Sequence, residues 1–372
     1  MNELENLIKE EILRNGPITF EEFMHYALYH PDLGYYSSGK VQIGKKGDFY
    51  TSSHVSPFFG EVIGKFIQKA INYLEISDFT ILELGAGKGY LAVDILNYLS
   101  NKPEINKLKN YVIIEKDLTD RYPDKLDSYR KKVKIYNNLS ELDETINGVV
   151  ISNELFDSLP FHRIIYINNQ FKEIYVDVEN NEFKEIIGKI SNNEIEKYLS
   201  RYEINLTDSK QIEVSIFPGN ILRELNDIIL KGYILTIDYG FLSEELFNNR
   251  KINGTFRCFY KHTVNDDPYS NIGLQDITYD VDFTNLIQSG LNLGIEKVKY
   301  TTQGQFLVDW GILKIVDRET DKLGKNSINS IKNLFMPGMM GNYFKVLLQS
   351  KNIQGADVIY PESDLTISFG VN

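Results

Sequence analysis

Three glycines, Gly85, Gly87 and Gly89, occupy alternate positions of the chain. They follow an apolar run at 80–82 and an acid, Glu83. Apolar residues then recur at helical spacing over 91–99, so the pattern predicts a strand, a tight turn and a helix. A turn without side chains lets a ligand lie against bare backbone, and the helix N-terminus behind it supplies unpaired N–H groups. This arrangement indicates an adenosine-type ligand at the end of a sheet strand; the alternative is an ordinary glycine-rich turn.

The glycine spacing narrows the choice of ligand. A dinucleotide fingerprint, G-x-G-x-x-G, would need a small residue where this chain has Tyr90. The pattern E-x-G-x-G-x-G, beginning at Glu83, instead resembles motif I of class I S-adenosylmethionine (SAM) methyltransferases. In that motif the glycines accommodate the methionine part of SAM.

Two later positions could contact the rest of such a ligand. Glu115 ends the predicted strand 111–115, where an acid can accept hydrogen bonds from ribose hydroxyls. The alternative for Glu115 is a helix-capping or solvated carboxylate. Asn137, Asn138 and Leu139 follow the predicted strand 133–136, where adenine is commonly recognised in this kind of sheet, a placement by analogy.

The segment 152–160, SNELFDSLP, follows the next predicted strand and carries two acids. Glu154 and Asp157 are three residues apart and are predicted to share one face of a helical turn. A capped helix start, with Ser152 or Asn153 as the cap, is the structural alternative. A capped turn and an active-site turn can coexist.

The elements that would hold these residues read as a parallel α/β sheet. Short apolar runs at 79–84, 111–115, 133–136 and 148–152 alternate with helices, which predicts a Rossmann-like, doubly wound sheet of seven strands. A β-hairpin or meander is predicted at 163–187, and 239–281 reads mostly as loop. The predicted domains are a helical N-terminal cover (1–77), a core (78–350) with inserts at about 163–203, 239–281 and 303–340, and a tail (351–372).

Composition excludes several classes of function. The net charge is −12, with no overall basic surplus, which argues against nucleic acid as a partner. The single cysteine, Cys258, excludes an internal disulfide and fits a reducing compartment. No run of 18 apolar residues occurs, and the acidic N-terminus does not read as a signal or transit peptide, so a cytoplasmic protein is predicted.

Other catalytic motifs find little support. GKVQIGKK (39–46) matches part of a phosphate loop but has Lys46 where Ser or Thr is needed. The five histidines form no zinc-binding pattern, so no metal is expected. No G-x-S-x-G elbow occurs, which disfavours a hydrolase.

Nearly the whole chain resembles the MidA-like family of class I SAM-dependent methyltransferases, which includes mitochondrial complex I assembly factors. The blocks that carry the resemblance are HPDLGYY (30–36), GDFYTSSHVSPFFG (47–60), LELGAGKGYLAVDIL (82–96), SNELFDSLPFHR (152–163), GTFRCFYKHTVNDDPY (254–269), LQDITYDVDF (274–283) and MMGNYFKVL (339–347). Motif I is shared by many methyltransferases, whereas the other blocks together are far more specific.

The resemblance implies SAM as the cofactor and assigns roles to individual residues. The SAM loop would be Gly85, Ala86, Gly87 and Gly89, with Glu115 as the ribose acid and Asn138 and Leu139 near adenine. The N-terminal block would close over the cofactor with Asp48, Tyr50, Thr51 and Ser53. Asn153, Glu154 and Asp157 would line the methyl-transfer site. The family often has a second histidine three residues after the one matched by His262, and this chain has Asn265 there, which puts any chemistry of that histidine in doubt.

The best-known activity in the family is methylation of a protein arginine. A guanidinium is a poor nucleophile because it stays charged, and carboxylates such as Glu154 and Asp157 could hold it bidentately. A protein substrate is therefore expected. A non-catalytic assembly factor and a small-molecule methyltransferase remain alternatives, and the sequence leaves the oligomeric state open.

Overall fold

The computed structural model describes residues 2–37, 56–116, 124–201, 206–248, 251–322 and 325–361. The strands in these ranges are β1 (Ile18–Thr19), β2 (Phe79–Leu84), β3 (Leu108–Ile114), β4 (Val133–Tyr136), β5 (Ile146–Asn153), β6 (His162–Ile167), β7 (Gln170–Glu179), β8 (Glu182–Gly188), β9 (Gln211–Val214), β10 (Ile229–Phe241), β11 (Arg257–Tyr260), β12 (Thr263–Asn265), β13 (Asp276–Thr278), β14 (Val281–Asp282), β15 (Ile295–Thr302) and β16 (Phe344–Lys351).

The helices of the same ranges are α1 (Glu3–Asn15), α2 (Phe20–Tyr29), α3 (Pro57–Leu74), α4 (Tyr90–Ser100), α5 (Asn193–Ser200), α6 (Phe217–Ile228), α7 (Ser243–Leu246), α8 (Phe283–Leu291), α9 (Gln303–Asp309), α10 (Ile312–Thr320), α11 (Lys325–Phe335) and α12 (Met340–Tyr343). Short 3-10 helices span Pro103–Lys107, Asp124–Tyr129, Leu139–Glu141, Phe156–Ser158 and Ala356–Ile359.

The chain forms two compact units. The first, the large-sheet unit, consists of the described residues within Tyr50–Leu155, Ile221–Tyr239 and Ile287–Asn372. The second, the small-sheet unit, consists of those within Met1–Phe49, Phe156–Asn220 and Gly240–Leu286. The domain division expected from the sequence, with its cover, core and tail, stays a prediction beside this division into units.

The large-sheet unit confirms the predicted α/β fold. Its strands run in the order β15-β16-β10-β5-β2-β3-β4. The five strands from β10 to β4 are parallel, whereas β16 is antiparallel to both of its neighbours. Because parallel strands end at one edge of a sheet, the segments that follow β2, β3, β4, β5 and β10 come together there.

Helices α3 and α4 supply much of the core of the large-sheet unit. Buried Phe59, Phe66 and Ile67 of α3 belong to one apolar cluster with Ile81 of β2 and Tyr233 of β10. The start of α3 follows from its sequence, because Pro57 tolerates the first helical position and the Ser56 hydroxyl accepts the Phe58 N–H at 3.3 Å. The packing of α3 with β2 and β10 supports strands whose ends carry the predicted site.

The small-sheet unit contains a five-stranded sheet, β1-β7-β6-β9 with β8 beside β7. Strands β6, β7 and β8 form the meander predicted at 163–187. Its turns are Asn168-Asn169 and Asn180-Asn181, and all four residues have positive φ, which asparagine tolerates in tight hairpins. A capping box begins α2 in this unit, since the Thr19 hydroxyl accepts the Glu22 N–H and the Glu22 carboxylate accepts the Thr19 N–H.

Most described residues of 239–281 lie outside helices and strands, as predicted, but the segment also contains short paired strands. Strand β10 extends to Phe241, where it pairs with β14, and β11 pairs antiparallel with both β12 and β13. The half-buried Glu213 carboxylate orders this segment by accepting the N–H groups of Thr255 (2.8 Å) and Phe256 (3.2 Å). The strands are short and their partners are distant in sequence, so periodicity alone does not reveal them.

Candidate active site

The glycine turn of the large-sheet unit has the predicted form. Strand β2 ends at Leu84 and α4 begins at Tyr90. Between them Gly85, Gly87 and Gly89 have φ values of 67°, 55° and 69°, in the left-handed region where a side chain is strained. A Cβ built on Gly87 would meet nothing within 4 Å, so the backbone faces open space at this point.

The same turn packs against the segment that follows β5. A Cβ on Gly85 would lie 2.8 Å from Cδ1 of Leu155, closer than real side-chain atoms approach. The missing side chain of Gly85 therefore makes room for Leu155. Glu154, the neighbouring residue in the chain, is held at the same edge of the sheet as the glycine turn.

Glu115 lies directly after β3 and contacts the glycine turn. Its Oε2 accepts the Gly87 N–H at 2.8 Å, and its Oε1 accepts the Lys116 N–H at 3.1 Å. A carboxylate can accept hydrogen bonds from hydroxyl groups as well as from N–H groups. The ribose role of Glu115 stays a prediction, and the structure places the residue beside the loop with which it would act.

Glu83 is buried beneath this turn, with 3% of its surface exposed. Burial and, to a smaller extent, the nearby Glu115 raise the pKa of the Glu83 carboxyl from 4.5 to about 7, although the bond from the Tyr111 O–H lowers it. That O–H donates to Oε2 of Glu83 at 2.6 Å. Glu83 is therefore partly protonated near neutral pH.

This burial predicts a pH-dependent stability. Between pH 4.5 and 7 the folded chain keeps a proton on Glu83 that the unfolded chain releases, so the free energy of unfolding falls as the pH rises through this window. The change is about 3 kcal/mol, at about 1.4 kcal/mol for each pH unit. Glu83→Gln keeps an acceptor for the Tyr111 O–H but cannot ionise. Chemical denaturation of both proteins from pH 4 to 8 should show the wild type losing about 3 kcal/mol relative to the variant; parallel curves would contradict the assignment.

The adenine-side residues follow β4, as predicted. Asn138 precedes the 3-10 helix Leu139–Glu141, and its amide donates to Oε1 of Glu141 at 3.3 Å. Leu139 is buried, with 8% exposed. Asn138 and Leu139 therefore lie at the carboxyl edge of the sheet, which suits adenine recognition. That role stays a prediction.

The end of β5 differs from the predicted helical turn. Glu154 has a φ of 54° and lies outside any helix, whereas Asp157 belongs to the 3-10 helix Phe156–Ser158, so the two acids do not share a helical face. The reason is tertiary, because the Glu154 N–H donates to the carbonyl of Ile237 on β10 at 2.9 Å. A non-glycine residue in this conformation is uncommon and is often found at functional sites.

Asn153 presents an unsatisfied acceptor beside Glu154. Its amide nitrogen donates to Oε1 of Glu154 at 3.0 Å. Its Oδ1 is buried and has no hydrogen-bond partner among the described residues. A buried acceptor of this kind suits a charged N–H donor, such as an ammonium or a guanidinium group.

Asp238 is a site residue that the sequence reasoning missed. It lies on β10 and is fully buried. Its Oδ2 accepts the Leu155 N–H at 3.2 Å and its Oδ1 accepts the Tyr239 N–H at 2.9 Å. The available signal was an acid at the end of the apolar run 233–237, at the same edge as the other candidate residues.

Asp157 belongs to the small-sheet unit, where it is 5% exposed. Its backbone carbonyl accepts the Tyr279 N–H at 3.0 Å. The next residue, Ser158, accepts the Tyr29 O–H through its carbonyl at 3.0 Å. The 3-10 helix is thus tied to two distant parts of its own unit.

Asp48, Tyr50, Thr51 and Ser53 lie outside the described residues. His262 has a φ of 64° in the β11–β12 turn, and Asn265 pairs with Cys258 and donates its amide to Gln275 at 3.3 Å.

No group of three potential metal ligands occurs in the described ranges. Across those ranges, no helix has both the length and the apolar character needed to cross a membrane.

The described residues of the large-sheet unit fit SAM. The positive-φ glycine turn leaves space above Gly87, and the carboxylate of Glu115 adjoins it. The buried Oδ1 of Asn153 adds an acceptor at the same edge of the sheet. SAM is a zwitterionic nucleoside that requires three kinds of partner. These are bare backbone, a carboxylate for its hydroxyl groups and an acceptor for its cationic group.

Curated relatives of this chain carry a methyltransferase name. The protein arginine methyltransferase NDUFAF7 of Xenopus laevis, a mitochondrial protein, is 26% identical over 92% of this chain and 83% of its own length. The mouse protein of the same name is 28% identical over 93% of this chain and 84% of its own length. A homologue from Caenorhabditis elegans is 28% identical over 76% of this chain and 70% of its own length.

Two solved structures are similar to this chain over nearly its whole length. A COG1565 superfamily member from Burkholderia thailandensis, bound to S-adenosyl-homocysteine, is 26% identical with a TM-score of 0.85, covering 97% of this chain and 95% of that one. A native structure of a COG1565 superfamily protein from the same organism has a TM-score of 0.84 at 26% identity, covering 96% of this chain and 94% of that one.

A family model settles the class of protein. The model described as "Putative S-adenosyl-L-methionine-dependent methyltransferase" matches residues 62–301, more than half of the chain. The match includes the glycine turn, Glu115, the end of β5 and Asp238, and it confirms the resemblance to the MidA-like family and the expected cofactor. The chain belongs to the Methyltransf_28 family of SAM-dependent methyltransferases.

Proposed function

We propose that this methyltransferase transfers the methyl group of SAM to an arginine side chain of a protein. The observation that carries the proposal is the placement of Glu154. Its backbone is held at a φ of 54°, and its neighbour Leu155 contacts the glycine turn. Relatives named protein arginine methyltransferases over most of this chain support the choice of acceptor.

The chemistry follows from what an acid at this position can do. When bound, SAM supplies an electrophilic methyl group on a sulfonium centre. The Glu154 carboxylate would accept two N–H bonds from the guanidinium, which orients the substrate and draws its positive charge to the bound side. The opposite nitrogen can then attack in line. Most of the acceleration comes from positioning and electrostatics.

The proton balance gives Glu154 a second role. A new N–C bond forms as the C–S bond breaks, and the electron pair of the broken bond stays on sulfur. Methylarginine remains a cation, so one proton leaves the guanidinium during the reaction. The Glu154 carboxylate is placed to accept that proton and pass it to water. The role of Asp157 as a further substrate acid stays a prediction.

Labelled-methyl transfer tests this function. The full chain is incubated with methyl-labelled SAM and a lysate of cells that lack the protein, and the products are identified by mass spectrometry. We expect label on protein arginine, absent when the chain is omitted. Label on another side chain or on a small molecule would refute the arginine assignment. Calorimetric binding of SAM without any transfer would support the assembly-factor alternative.

We propose a cytoplasmic location and a protein substrate. The buried Cys258 and the sequence composition favour a cytoplasmic protein, whereas the curated relatives are named as mitochondrial. The net charge of −12 disfavours nucleic acid as a substrate. Cell fractionation of the source organism would test the location directly.

A further inference from the structure

Asp238 is a buried acid whose carboxylate binds two different strand ends of the large-sheet unit. The residue is 0% exposed. One oxygen accepts the N–H of Tyr239, its own neighbour on β10, and the other accepts the N–H of Leu155, which follows β5. A buried carboxylate is costly unless such donors compensate its lost hydration.

These bonds occur where the parallel ladder between β5 and β10 ends. The last pair in register is Asn153 with Ile237. The Glu154 N–H still reaches the carbonyl of Ile237 at 2.9 Å, but the next N–H, that of Leu155, is taken by the side chain of Asp238 at 3.2 Å. The Leu155 N–H is therefore bound by a side chain of β10 and not by a backbone carbonyl. The chain turns at Glu154 instead of extending along β10.

The turn is also held from its other side. Leu155 occupies the space left by the missing side chain of Gly85. The residues on both sides of Glu154 are therefore fixed: Asn153 by the ladder, and Leu155 by Asp238 and the glycine turn. The left-handed conformation of Glu154 costs of order 1–3 kcal/mol, and surroundings that over-determine it are what allow such a conformation to persist.

We propose that Asp238 is a positioning residue for methyl transfer: its carboxylate holds the Asn153–Leu155 turn in the conformation that presents Glu154 to the substrate. This inference rests on the proposed function, because it assigns Asp238 a part in placing the acid that binds the guanidinium. Asp238 acts through the backbone and need not touch the substrate.

Two variants of Asp238 separate this role from simple burial. Asp238→Ala removes both acceptors. Asp238→Asn keeps the shape and one carbonyl oxygen, so it can serve one of the two N–H groups. Thr236→Val is the matched control, since Thr236 lies two residues away on β10, is 2% exposed and bonds only weakly with Ser152, at 3.4 Å.

Three measurements test the proposal. Hydrogen exchange, followed by mass spectrometry, should show faster exchange of residues 153–157 in Asp238→Ala than in the wild type or Thr236→Val. Labelled-methyl transfer into the lysate should fall at least about tenfold in Asp238→Ala and less in Asp238→Asn, because small displacements of a reacting group are costly. The affinity for S-adenosylhomocysteine, measured by calorimetry, should stay within about threefold of the wild type.

Several results would overturn the proposal. Unchanged hydrogen exchange at 153–157 in Asp238→Ala would show that Asp238 does not hold the turn. Wild-type transfer rates in that variant would show that holding the turn does not affect catalysis. An equal loss of transfer in Thr236→Val would show a general effect of mutating β10. If Asp238→Ala does not fold, unchanged exchange and transfer in Asp238→Asn would have the same meaning. A wild-type chain that transfers no methyl group refutes the proposed function instead, and the exchange experiment still decides whether Asp238 holds the turn.

Discussion

Glu154→Gln is expected to lower methyl transfer about 1,000-fold while the affinity for S-adenosylhomocysteine stays within about threefold of the wild type. The two side chains have nearly the same shape, so the turn at φ 54° is retained. The amide offers one acceptor oxygen, carries no charge and cannot take up a proton. One charge-assisted bond, worth about 1.5–3 kcal/mol, is lost and the other loses its charge, and together these changes raise the barrier by about 4 kcal/mol, which corresponds to the stated rate loss.

The control for this experiment is Glu144→Gln. Glu144 belongs to the same unit, but its carboxylate is partly exposed and pairs with Lys109 and Lys134. This variant makes the same change of net charge, and its transfer rate should equal that of the wild type. Unchanged transfer by Glu154→Gln would exclude Glu154 as the substrate-binding acid. Loss of S-adenosylhomocysteine binding in that variant would place Glu154 in the cofactor site instead.

Gly87→Val is expected to weaken the binding of S-adenosylhomocysteine about 1,000-fold, or about 4 kcal/mol. A Cβ at this position points into space that contains no atom of the described residues within 4 Å. A branched side chain would fill the space in which the cofactor must lie. The strain of a β-branched residue at φ 55° would also disturb the N–H that donates to Glu115.

Gly294→Val provides the matched control. Gly294 has a φ of 74°, also meets nothing within 4 Å of a Cβ, and lies between α8 and β15 in the same unit. The substitution imposes a similar backbone strain away from the glycine turn. Its affinity for S-adenosylhomocysteine, measured by calorimetry, should match that of the wild type. Equal loss of binding in both variants would mean that strain, and not the occupied space at Gly87, accounts for the effect.

Features controlled by neighbours in the chain could be predicted from the sequence. The strand, glycine turn and helix around Gly87 follow from local periodicity and from the one residue type that accepts positive φ without strain. The hairpin at Asn180-Asn181 and the capping box at Thr19 have the same origin, since each depends on residues within a few positions. Among these features, the glycine turn located the expected cofactor loop.

Features that depend on distant partners could not be predicted. The strands within 239–281 form because β11 meets partners in the chain on both sides, and because Glu213 accepts N–H groups from residues more than 40 positions away. The helical turn expected for Glu154 and Asp157 fails for a similar reason. The bonds from the Glu154 N–H to Ile237 and from the Leu155 N–H to Asp238 tie the segment to β10 while Glu154 has a positive φ, which a right-handed helix does not allow.

The sequence alone determined the class of ligand, the fold that binds it and the acids at the ends of the strands, because glycine spacing and apolar periodicity are properties of short segments. Only the tertiary structure decided how Glu154 is presented. Its conformation depends on Asp238, 84 positions further along the chain, and on Leu155 fitting against Gly85. Hydrogen bonds and packing between distant segments determine that geometry, and no local pattern encodes them.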